Sequence, residues 1–431
     1  MSVAETFADS RPQPTKTYRW VVLVVLSLPM LGSYYFYDAL EPIAKLLQEQ
    51  LHFSDQNIGL LNSFYSIAPI ATVLIGGILI DRIGTRKALL IFSLVCLVGS
   101  CITAFSPAFP IMATGRLVFG MGAESLVVAV TTAIAKWFKG KELSFALGID
   151  LMLARGGSWL AQNSPTWARG AYNSWQTPWL IGVGFVALCV VGAIAYWILE
   201  VRAERTSSLG QAGESDKIVL SDIRNFNLSY WYIVGLCVVF YSAIFPFETF
   251  AVKYFVDAKG TSLQMGGFML SVLTIFTMIG TPVVGLFSDK VGRRATIMLL
   301  GTLLLIPVFL MMAYTHITLY VPMAMLGFAF TLVPAIIWPS VAYLVEQRTL
   351  GTALGLMTMV QNTGMASMNW ILGRANDAAG ASAGNPAGYL PMLQILTTLG
   401  FIGFGLAFLL RQRETGPHGH GLETITASSH E

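Results

Sequence analysis

The sequence GILIDRIGTRK, residues 77–87, and the sequence GLFSDKVGRR, residues 285–294, are two copies of one motif. Both read G-x-x-x-D-[RK]-x-G, and two basic residues follow closely. The glycines at 77 and 285, the aspartates at 81 and 289, and the glycines at 84 and 292 are each 208 residues apart. This offset is close to half of the 431 residues. A repeat on this scale, placed in short gaps between apolar segments, is typical of a membrane protein built from two parallel repeats.

The apolar segments around the motif are long enough to cross a membrane. The chain is 55% hydrophobic and 11% charged, whereas soluble domains are roughly 25% charged. A bilayer core of about 30 Å needs roughly 20 apolar residues per helix. We predict six spans in each half. They are residues 20–47, 56–80, 86–106, 109–137, 143–168, 178–199, 229–256, 263–288, 295–314, 317–345, 350–373 and 389–410.

Charge and polarity divide the chain further. We predict an N-terminal cytoplasmic segment at 1–18, a first six-helix bundle at 19–200, a cytoplasmic linker at 201–227, a second bundle at 228–411 and a cytoplasmic tail at 412–431. With both termini inside, 19 of the 26 Lys and Arg residues are cytoplasmic and four are on the outer side, as the positive-inside rule requires. The lipid bilayer is therefore the expected environment. The net charge of +3 gives no indication of nucleic-acid binding.

No residue pattern indicates a metal, a cofactor or an enzyme active site. The four cysteines fall in apolar segments without paired spacing, so we expect small buried side chains. His418 and His420 lie in the polar tail, which we expect to be disordered. Nucleophile–base sets and phosphate-binding loops are also missing from the sequence.

The repeated motif predicts a conformational latch. In each half it joins the second and third helices, where its glycines allow a tight turn and its aspartate can pair with basic groups or a helix N-terminus. The alternative is a solvated charge cluster that only supports the topology. The candidate latch residues are Gly77, Asp81, Arg82, Gly84 and Arg86 in the first copy, and Gly285, Asp289, Gly292 and Arg293 in the second.

This loop resembles the hallmark of the major facilitator superfamily. The resemblance implies an all-α membrane protein of the major facilitator fold. In that fold, twelve transmembrane helices form two six-helix bundles that rock around a central site, and both termini are cytoplasmic.

Ionisable residues inside apolar helices are expensive and indicate function. Glu124 and Arg155 lie about 15 residues on either side of the turn between the fourth and fifth helices. At 1.5 Å per residue, both are roughly 23 Å along their helices, at one depth near the membrane middle. They can hold the two ends of a zwitterion, or they can neutralise each other as an interhelical pair. The other candidates are Asp38, Glu41, Arg116, Asp150, Glu248 and Lys253.

Several of these residues allow two interpretations. Arg116 can serve proton coupling or structure. Lys253 can bind substrate or extend to the outer surface. Phe245-Pro246-Phe247 predicts a break in the seventh helix. Tyr37 and Trp338 can line a cavity or only pack at an interface.

A more specific resemblance covers the chain from about Gly32 to the last helix. The sequence is similar to the lysosomal dipeptide uniporter family of the superfamily. The matching residues are Gly32-Ser33-Tyr34 with Tyr37-Asp38, Gly115-Arg116 with Glu124-Ser125-Leu126, the run Trp137 to Leu143, Ala154-Arg155 with Gly157-Ser158, Phe245-Pro246-Phe247 with Lys253, Trp338-Pro339, Leu350 to Ala353, and Gln361-Asn362 with Gly364.

This resemblance implies dipeptide transport. Glu124 matches an acidic residue and Arg155 a basic residue of the family's pocket, and we expect both to engage the peptide termini. Lys253, Tyr37, Trp338 and Asn362 are further candidates for substrate binding. Single amino acids and organic anions, with or without proton coupling, are the alternative substrates. A receptor or scaffold of the same fold is an alternative from another class.

Two departures from the lysosomal family concern location. The N-terminal segment has no acidic dileucine signal. The Asn227-Leu228-Ser229 sequon falls on the predicted cytoplasmic side, so no lumenal glycosylation is expected. We therefore predict a monomeric protein of the prokaryotic inner membrane, without an obligate partner subunit.

Overall fold

The computed structural model describes residues 12–138, 142–207, 223 and 226–426. Across these ranges the regular structure is helical, apart from one isolated bridge between Ser382 and Asn385. The α-helices are α1 (Lys16–Asp38), α2 (Leu40–Leu51), α3 (Asp55–Ile83), α4 (Thr85–Phe105), α5 (Phe109–Phe138), α6 (Leu143–Gln162), α7 (Ser164–Trp167), α8 (Gln176–Thr206), α9 (Leu228–Lys259), α10 (Leu263–Val291), α11 (Arg294–Tyr314), α12 (Tyr320–Leu332), α13 (Pro334–Leu344), α14 (Leu350–Ala379) and α15 (Leu390–Glu414).

Nine spans within the described residues are long and apolar enough to cross a membrane. One of them comprises α1 and α2 together, and another comprises α12 and α13. The helices α3, α6 and α14 have 29, 20 and 30 residues but lie outside this set. All three contribute to the polar contacts and the cavity described below. The count of twelve transmembrane helices stays a prediction.

The motif glycines end their helices at left-handed backbone positions. Gly84 follows α3 with a φ of 82°, and Gly292 follows α10 with a φ of 68°. A side chain at either position is strained, so the motif needs glycine there. The next helices begin directly after these turns, α4 at Thr85 and α11 at Arg294. We call the end of the molecule that holds these turns the motif side, and the opposite end the far side.

The predicted break at Phe245-Pro246-Phe247 is wrong. The helix α9 continues through Pro246 from Leu228 to Lys259. Proline is tolerated inside a membrane helix where neighbouring groups satisfy the backbone that it frees. A break does occur in the first helix, between α1 and α2 at Ala39.

The two halves meet mainly through α3 against α14 and α6 against α10. Close approach depends on glycine at the far side. A side chain at Gly59 on α3 would collide with the carbonyl of Asn369, and one at Gly373 on α14 would collide with the carbonyl of Asp55. These two contacts bring the backbones of the halves together, so the far side is closed in this conformation.

Residues 415–426 form an ordered segment, which we call the C-terminal hook. This corrects the expectation of a disordered tail. Leu422 is fully buried, and the backbone N–H groups of Arg293 and Arg294 donate to the carbonyls of Glu423 and Leu422 at 3.2 and 2.8 Å. The Glu414 carboxylate accepts hydrogen bonds from the backbone N–H groups of His420 and Leu422. The hook therefore covers the start of α11, next to the second motif. Residues 427–431 and most of the predicted linker lie outside the described residues.

Candidate functional site

A cavity of about 1120 Å³ lies between the two halves. It reaches from Asp38 on α1 to Asp289 in the second motif. Phe145 and Leu286, which line its mouth on the motif side, are 63% and 66% exposed. Its polar and aromatic wall includes Tyr34, Tyr37, Asp38, Tyr65, Glu124, Arg155, Tyr241, Phe245, Phe330, Trp338, Gln361 and Asn362. The cavity therefore opens at the motif side and ends below the closed far side.

Glu124 presents its carboxylate to this cavity from α5. Its Oε1 accepts a hydrogen bond of 2.8 Å from the hydroxyl of Tyr65 on α3. The ring of Tyr65 in turn packs 4.5 Å from that of Tyr37, measured between centroids. One phenol thus fixes the orientation of the carboxylate, and the remaining acceptor sites are available to a cationic group.

Arg155 enters the cavity from α6 and lies among aromatic rings. Its guanidinium carbon is 5.6 Å from the ring centroid of Tyr34, 5.8 Å from that of Phe245 and 5.3 Å from that of Phe330. These contacts come from both halves of the protein. Cation–π contacts hold the guanidinium without using its fork of N–H donors. An anionic group of a ligand can occupy that fork.

Glu124 and Arg155 line one cavity, as their equal depth predicts, but they are not an ion pair. None of the ion pairs formed by the described residues includes either side chain. Mutual neutralisation, the alternative raised by the sequence, is therefore not what this conformation shows. Both charged side chains line the cavity without an ion pair between them.

The predicted aromatic and amide residues also line the cavity. Trp338 donates from its indole Nε1 to the hydroxyl of Tyr241 at 2.9 Å. Asn362 donates to the carbonyl of Thr358 at 3.0 Å, one turn earlier on α14. Both side chains are thus held by neighbours of the second half. Together with Tyr37 they form a wall that is largely aromatic, with few charges.

Lys253 does not line the cavity. It is completely buried on α9, where its ammonium lies 2.8 Å from the Asp55 carboxylate of α3 and 2.8 Å from the Tyr389 hydroxyl. Asp257 lies 3.6 Å from the same ammonium and pairs with Lys45 of α2 at 2.8 Å. These ion pairs join the first half to the second at the far side. The position of Lys253 indicates a role in closing the far side.

Arg116 is also fully buried and lies outside the cavity lining. Its guanidinium donates to the carbonyls of Phe36 and Tyr37, near the end of α1, and to Asn62 Oδ1 on α3. Asn62 donates onward to Thr249 of α9 at 2.8 Å. Arg116 thus ties three helices of its own half to the second half. Of its two interpretations, the geometry favours the structural one.

The latch residues occupy the motif side with different partners in the two halves. In the first half, Arg86 pairs with Glu204 at 2.6 Å. In the second, Asp289 pairs with Arg294 at 3.0 Å, and Arg293 adopts a positive φ of 49° as the N-cap of α11. Among the other latch residues, Asp81 and Arg82 are exposed. A side chain at Gly77 or Gly285 would meet open space. The pairs of Arg86 and of Asp289 thus each lie within one half, and the latch role of the motif stays a prediction.

Sequence reasoning missed Tyr65, which positions Glu124, because a tyrosine in an apolar helix carries no distinguishing signal. It also missed the partners of Lys253 and the hook. The described residues contain no group of three or more His, Cys, Asp or Glu side chains placed to hold a metal ion.

Comparison with known proteins gives three kinds of match. The sequence profile of the Major Facilitator Superfamily matches residues 26–368. The lysosomal dipeptide transporter MFSD1 of Bos taurus is 32% identical over 376 residues, which is 84% of this chain and 80% of that protein. The Homo sapiens protein of the same name is also 32% identical, over 84% of this chain and 81% of its own length. The hexuronate transporter of Bacillus subtilis (strain 168) is 24% identical over 84% of this chain and 89% of that protein.

Solved structures show the same fold. The crystal structure of the nucleoside transporter NupG has a TM-score of 0.73 at 15% identity, and covers 92% of this chain and 99% of NupG. A bacterial homolog of the human lysosomal transporter Spinster, in an inward-facing and occupied conformation, has a TM-score of 0.71 at 17% identity. That match covers 93% of this chain and 98% of the homolog. The predicted all-α membrane protein of the major facilitator fold is confirmed.

Proposed function

Because this chain belongs to the major facilitator superfamily, and is thus a multi-pass membrane transporter of small molecules and not an enzyme, we propose that it carries dipeptides. The cavity wall holds one guanidinium, Arg155, and the carboxylate of Glu124 between those of Asp38 and Asp289 at its two ends; Glu124 and Arg155 are not paired with each other. This single observation carries the proposal. A zwitterion supplies a cation for Glu124 and an anion for Arg155.

The distance between the charged ends distinguishes a dipeptide from an amino acid. A residue of extended chain adds at most about 3.3–3.6 Å between these ends. A cavity of about 1120 Å³ has room for the longer ligand. The dipeptide transporters named MFSD1 support the same substrate class, since they are 32% identical to this chain.

The aromatic part of the cavity wall favours broad selectivity for the peptide side chains. It includes Tyr34, Tyr37, Phe245, Phe330 and Trp338, which offer aromatic surface and few directed donors. A cavity of about 1120 Å³ is larger than most sites for small ligands, which are roughly 300–1,000 Å³. The main-chain charges then supply most of the binding free energy, and side chains of different sizes fit.

Alternating access follows from the two ends of the cavity. In this conformation the Lys253 network closes the far side and the motif side is open. Formation of the latches at Asp81 and Asp289 would close the motif side and release the far side. We assign the motif side to the cytoplasm of a prokaryotic cell, because the basic residues concentrate there, and propose a monomer in the cell membrane without an obligate subunit.

Competition for uptake tests the substrate. Purified protein in proteoliposomes is assayed with labelled Ala-Ala against Ala-Ala, N-acetyl-Ala-Ala, Ala-Ala-amide, free alanine and galacturonate. Blocking either terminus should weaken competition more than changing a side chain, because it leaves a buried charge without its partner. Competition by free alanine equal to that of Ala-Ala would reject the dipeptide assignment. Galacturonate as the strongest competitor would establish an organic-anion transporter, for which only Arg155 is needed.

A further inference from the structure

A carboxylate of the second half caps a helix of the first half. Asp377, near the end of α14, accepts hydrogen bonds from the backbone N–H groups of Asp55 and Gln56, the first two residues of α3. The bond from Asp55 reaches Oδ1 at 2.8 Å, and the bond from Gln56 reaches Oδ2 at 2.9 Å. Each carboxylate oxygen thus satisfies one of the N–H groups that the first turn of a helix leaves without a partner. The negative charge also lies at the positive end of the helix dipole.

A second cap of α3 comes from its own half. The side-chain oxygen of Ser54 accepts a hydrogen bond of 3.2 Å from the backbone N–H of Asn57. This bond does not depend on how the two halves are arranged. The bonds to Asp377, in contrast, exist only while α14 lies against the start of α3. The first cap therefore stabilises the helix in every state, and the second stabilises it only in the state with a closed far side.

The other crossing of the two halves, between α6 and α10, has no such cap. Gly59 of α3 and Gly267 of α10 are 208 residues apart, the spacing of the repeated motif. A side chain at Gly267 would collide with the carbonyl of Gln162, as one at Gly59 would with that of Asn369. However, α6 ends at Gln162, whereas α14 continues for ten residues beyond Asn369 and carries Asp377 to the start of α3. Among the described residues, no side chain of the first half hydrogen-bonds to the N–H groups at the start of α10.

Asp55 connects the cap to the ion pairs of the far side. Its carboxylate lies 2.8 Å from the ammonium of Lys253 on α9, while its backbone N–H donates to Asp377. Its carbonyl oxygen lies where a side chain at Gly373, one turn before Asp377, would collide. The second half therefore holds this one residue of α3 through its side chain and through its backbone. Opening of the far side must break both attachments.

We propose that Asp377 is a gate residue, which holds the far side closed through a helix cap between the halves. When the far side opens, α14 leaves the start of α3, and the N–H groups of Asp55 and Gln56 pass to water. The strength of a helix cap corresponds to a factor of roughly 2 to 30 in an equilibrium constant. The gate thus has two separable parts, the buried ion pair of Lys253 and the cap by Asp377. This inference rests on the alternating access proposed above and not on the identity of the substrate.

Cysteine labelling in oriented vesicles tests the gate without any substrate. The two reporters, introduced separately, are Ser63→Cys on α3 and Ser271→Cys on α10, at buried positions that are 208 residues apart. Ser63 donates to the carbonyl of Ala366 on α14 at 2.6 Å. Ser271 follows Gly267 by four residues and so lies on the helix face that approaches α6. Movement of one half against the other should expose both reporters to an impermeant maleimide applied from the far side.

Asp377→Ala should raise the labelling rate of both reporters, by roughly 2- to 30-fold. Asp377→Asn, which keeps one oxygen as an acceptor, should raise it less. Ser54→Ala is the matched control, because it removes a cap of the same helix that does not cross between the halves. It should lower the thermal midpoint without raising the labelling rate of either reporter.

The pattern of labelling separates a gate from a structural cap. Faster labelling of Ser63→Cys alone would mean that α3 frays locally, and it overturns the gate role. Equal labelling in the Ser54 and Asp377 variants overturns it too. If Lys253→Met exposes both reporters and Asp377→Ala exposes neither, alternating access stands and the role of Asp377 is wrong. If neither variant exposes a reporter, alternating access itself fails, and the gate role fails with it.

Discussion

The ammonium of Lys253 and the carboxylate of Asp55 form a buried ion pair, 2.8 Å apart, between residues 198 positions apart in the sequence. The pair joins α9 of the second half to α3 of the first. The hydroxyl of Tyr389 and the carboxylate of Asp257 surround the same ammonium. Because these residues belong to both halves, the network can exist only while the far side is closed.

We expect Lys253→Met to open the far side. Removing one partner of a buried ion pair costs about 3–5 kcal/mol, because the other charge stays buried and unpaired. Here that cost applies only to the far-side-closed state. Ser63→Cys provides the reporter, since Ser63 is buried on α3 against the carbonyl of Ala366 on α14. Its labelling by an impermeant maleimide from the far side should rise several-fold in the Lys253 variant.

Arg374→Ala is the control for this experiment. Arg374 is an exposed cation of α14, and its guanidinium carbon lies 5.6 Å from the ring centroid of Trp370. Its removal should leave labelling unchanged. Equal labelling in the Lys253 and Arg374 variants would contradict a gating role for Lys253.

The repeat and the apolar segments predicted a membrane protein of two helical halves, because a membrane helix needs only length and apolarity. The major facilitator fold itself was predicted from the resemblance of the repeated loop to that superfamily. The sequence singled out Glu124 and Arg155, which both line the cavity, because an ionisable group in such a helix is rare and its depth can be counted from the turn. Lys253 is also an ionisable residue in an apolar helix, but it lies in the ion-pair network of the far side and not in the cavity. Position along a helix gives depth, whereas the partner side chains, Asp55 and Tyr389, depend on how distant helices pack.

The hook shows a second reason for failure. Its composition is polar, which predicts a disordered end, yet Leu422 is completely buried. The backbone of this leucine is held by hydrogen bonds to Arg294 at the start of α11 and to Glu414 at the end of α15. A composition window over residues 412–431 cannot contain that information.

Loss of either clamp should abolish dipeptide uptake. In Glu124→Gln the amide cannot compensate the peptide ammonium, and in Arg155→Ala the peptide carboxylate has no fork of donors. A buried charge without its partner costs about 2–5 kcal/mol, and about 2 kcal/mol already lowers affinity roughly 30-fold. Initial uptake of Ala-Ala and the thermal shift that Ala-Ala produces measure the effect. Thr363→Ala, an exposed position of α14 outside the cavity, is the control. Uptake at the normal rate in either clamp variant would disprove the site.

The latch aspartates should affect rate more than affinity. Asp81 is exposed in this conformation, and Asp289 is paired with Arg294 within its own half. Asp81→Asn should therefore slow transport by weakening the state in which the motif side is closed, while the affinity for Ala-Ala changes only a few-fold. Comparison of uptake rate with the concentration dependence of the thermal shift separates the two effects. Loss of Ala-Ala binding with an unchanged inward–outward balance would contradict the latch.

The hook should stabilise the second half through the first turn of α11. The N-cap of this helix, Arg293, provides no side-chain cap, and the hook supplies one: Glu423 accepts from the backbone N–H of Thr296 at 2.6 Å and from its hydroxyl at 2.9 Å. Loss of a helix cap costs about 0.5–2 kcal/mol, so Glu423→Ala should lower the thermal midpoint in detergent.

Leu422→Ala should lower that midpoint further, because truncation of a buried leucine costs about 2–5 kcal/mol. Thr424→Ala is the matched control, since Thr424 directly follows Leu422 and Glu423 in the hook but is exposed. If all three variants unfold at the temperature of the unchanged protein, the hook does not hold α11. The hook binds the backbone of Arg293 and Arg294 at the end of the second motif. If Leu422→Ala and Glu423→Ala also change the labelling of a cysteine on the motif side, the hook therefore contributes to the balance between the inward-open and outward-open states as well as to stability.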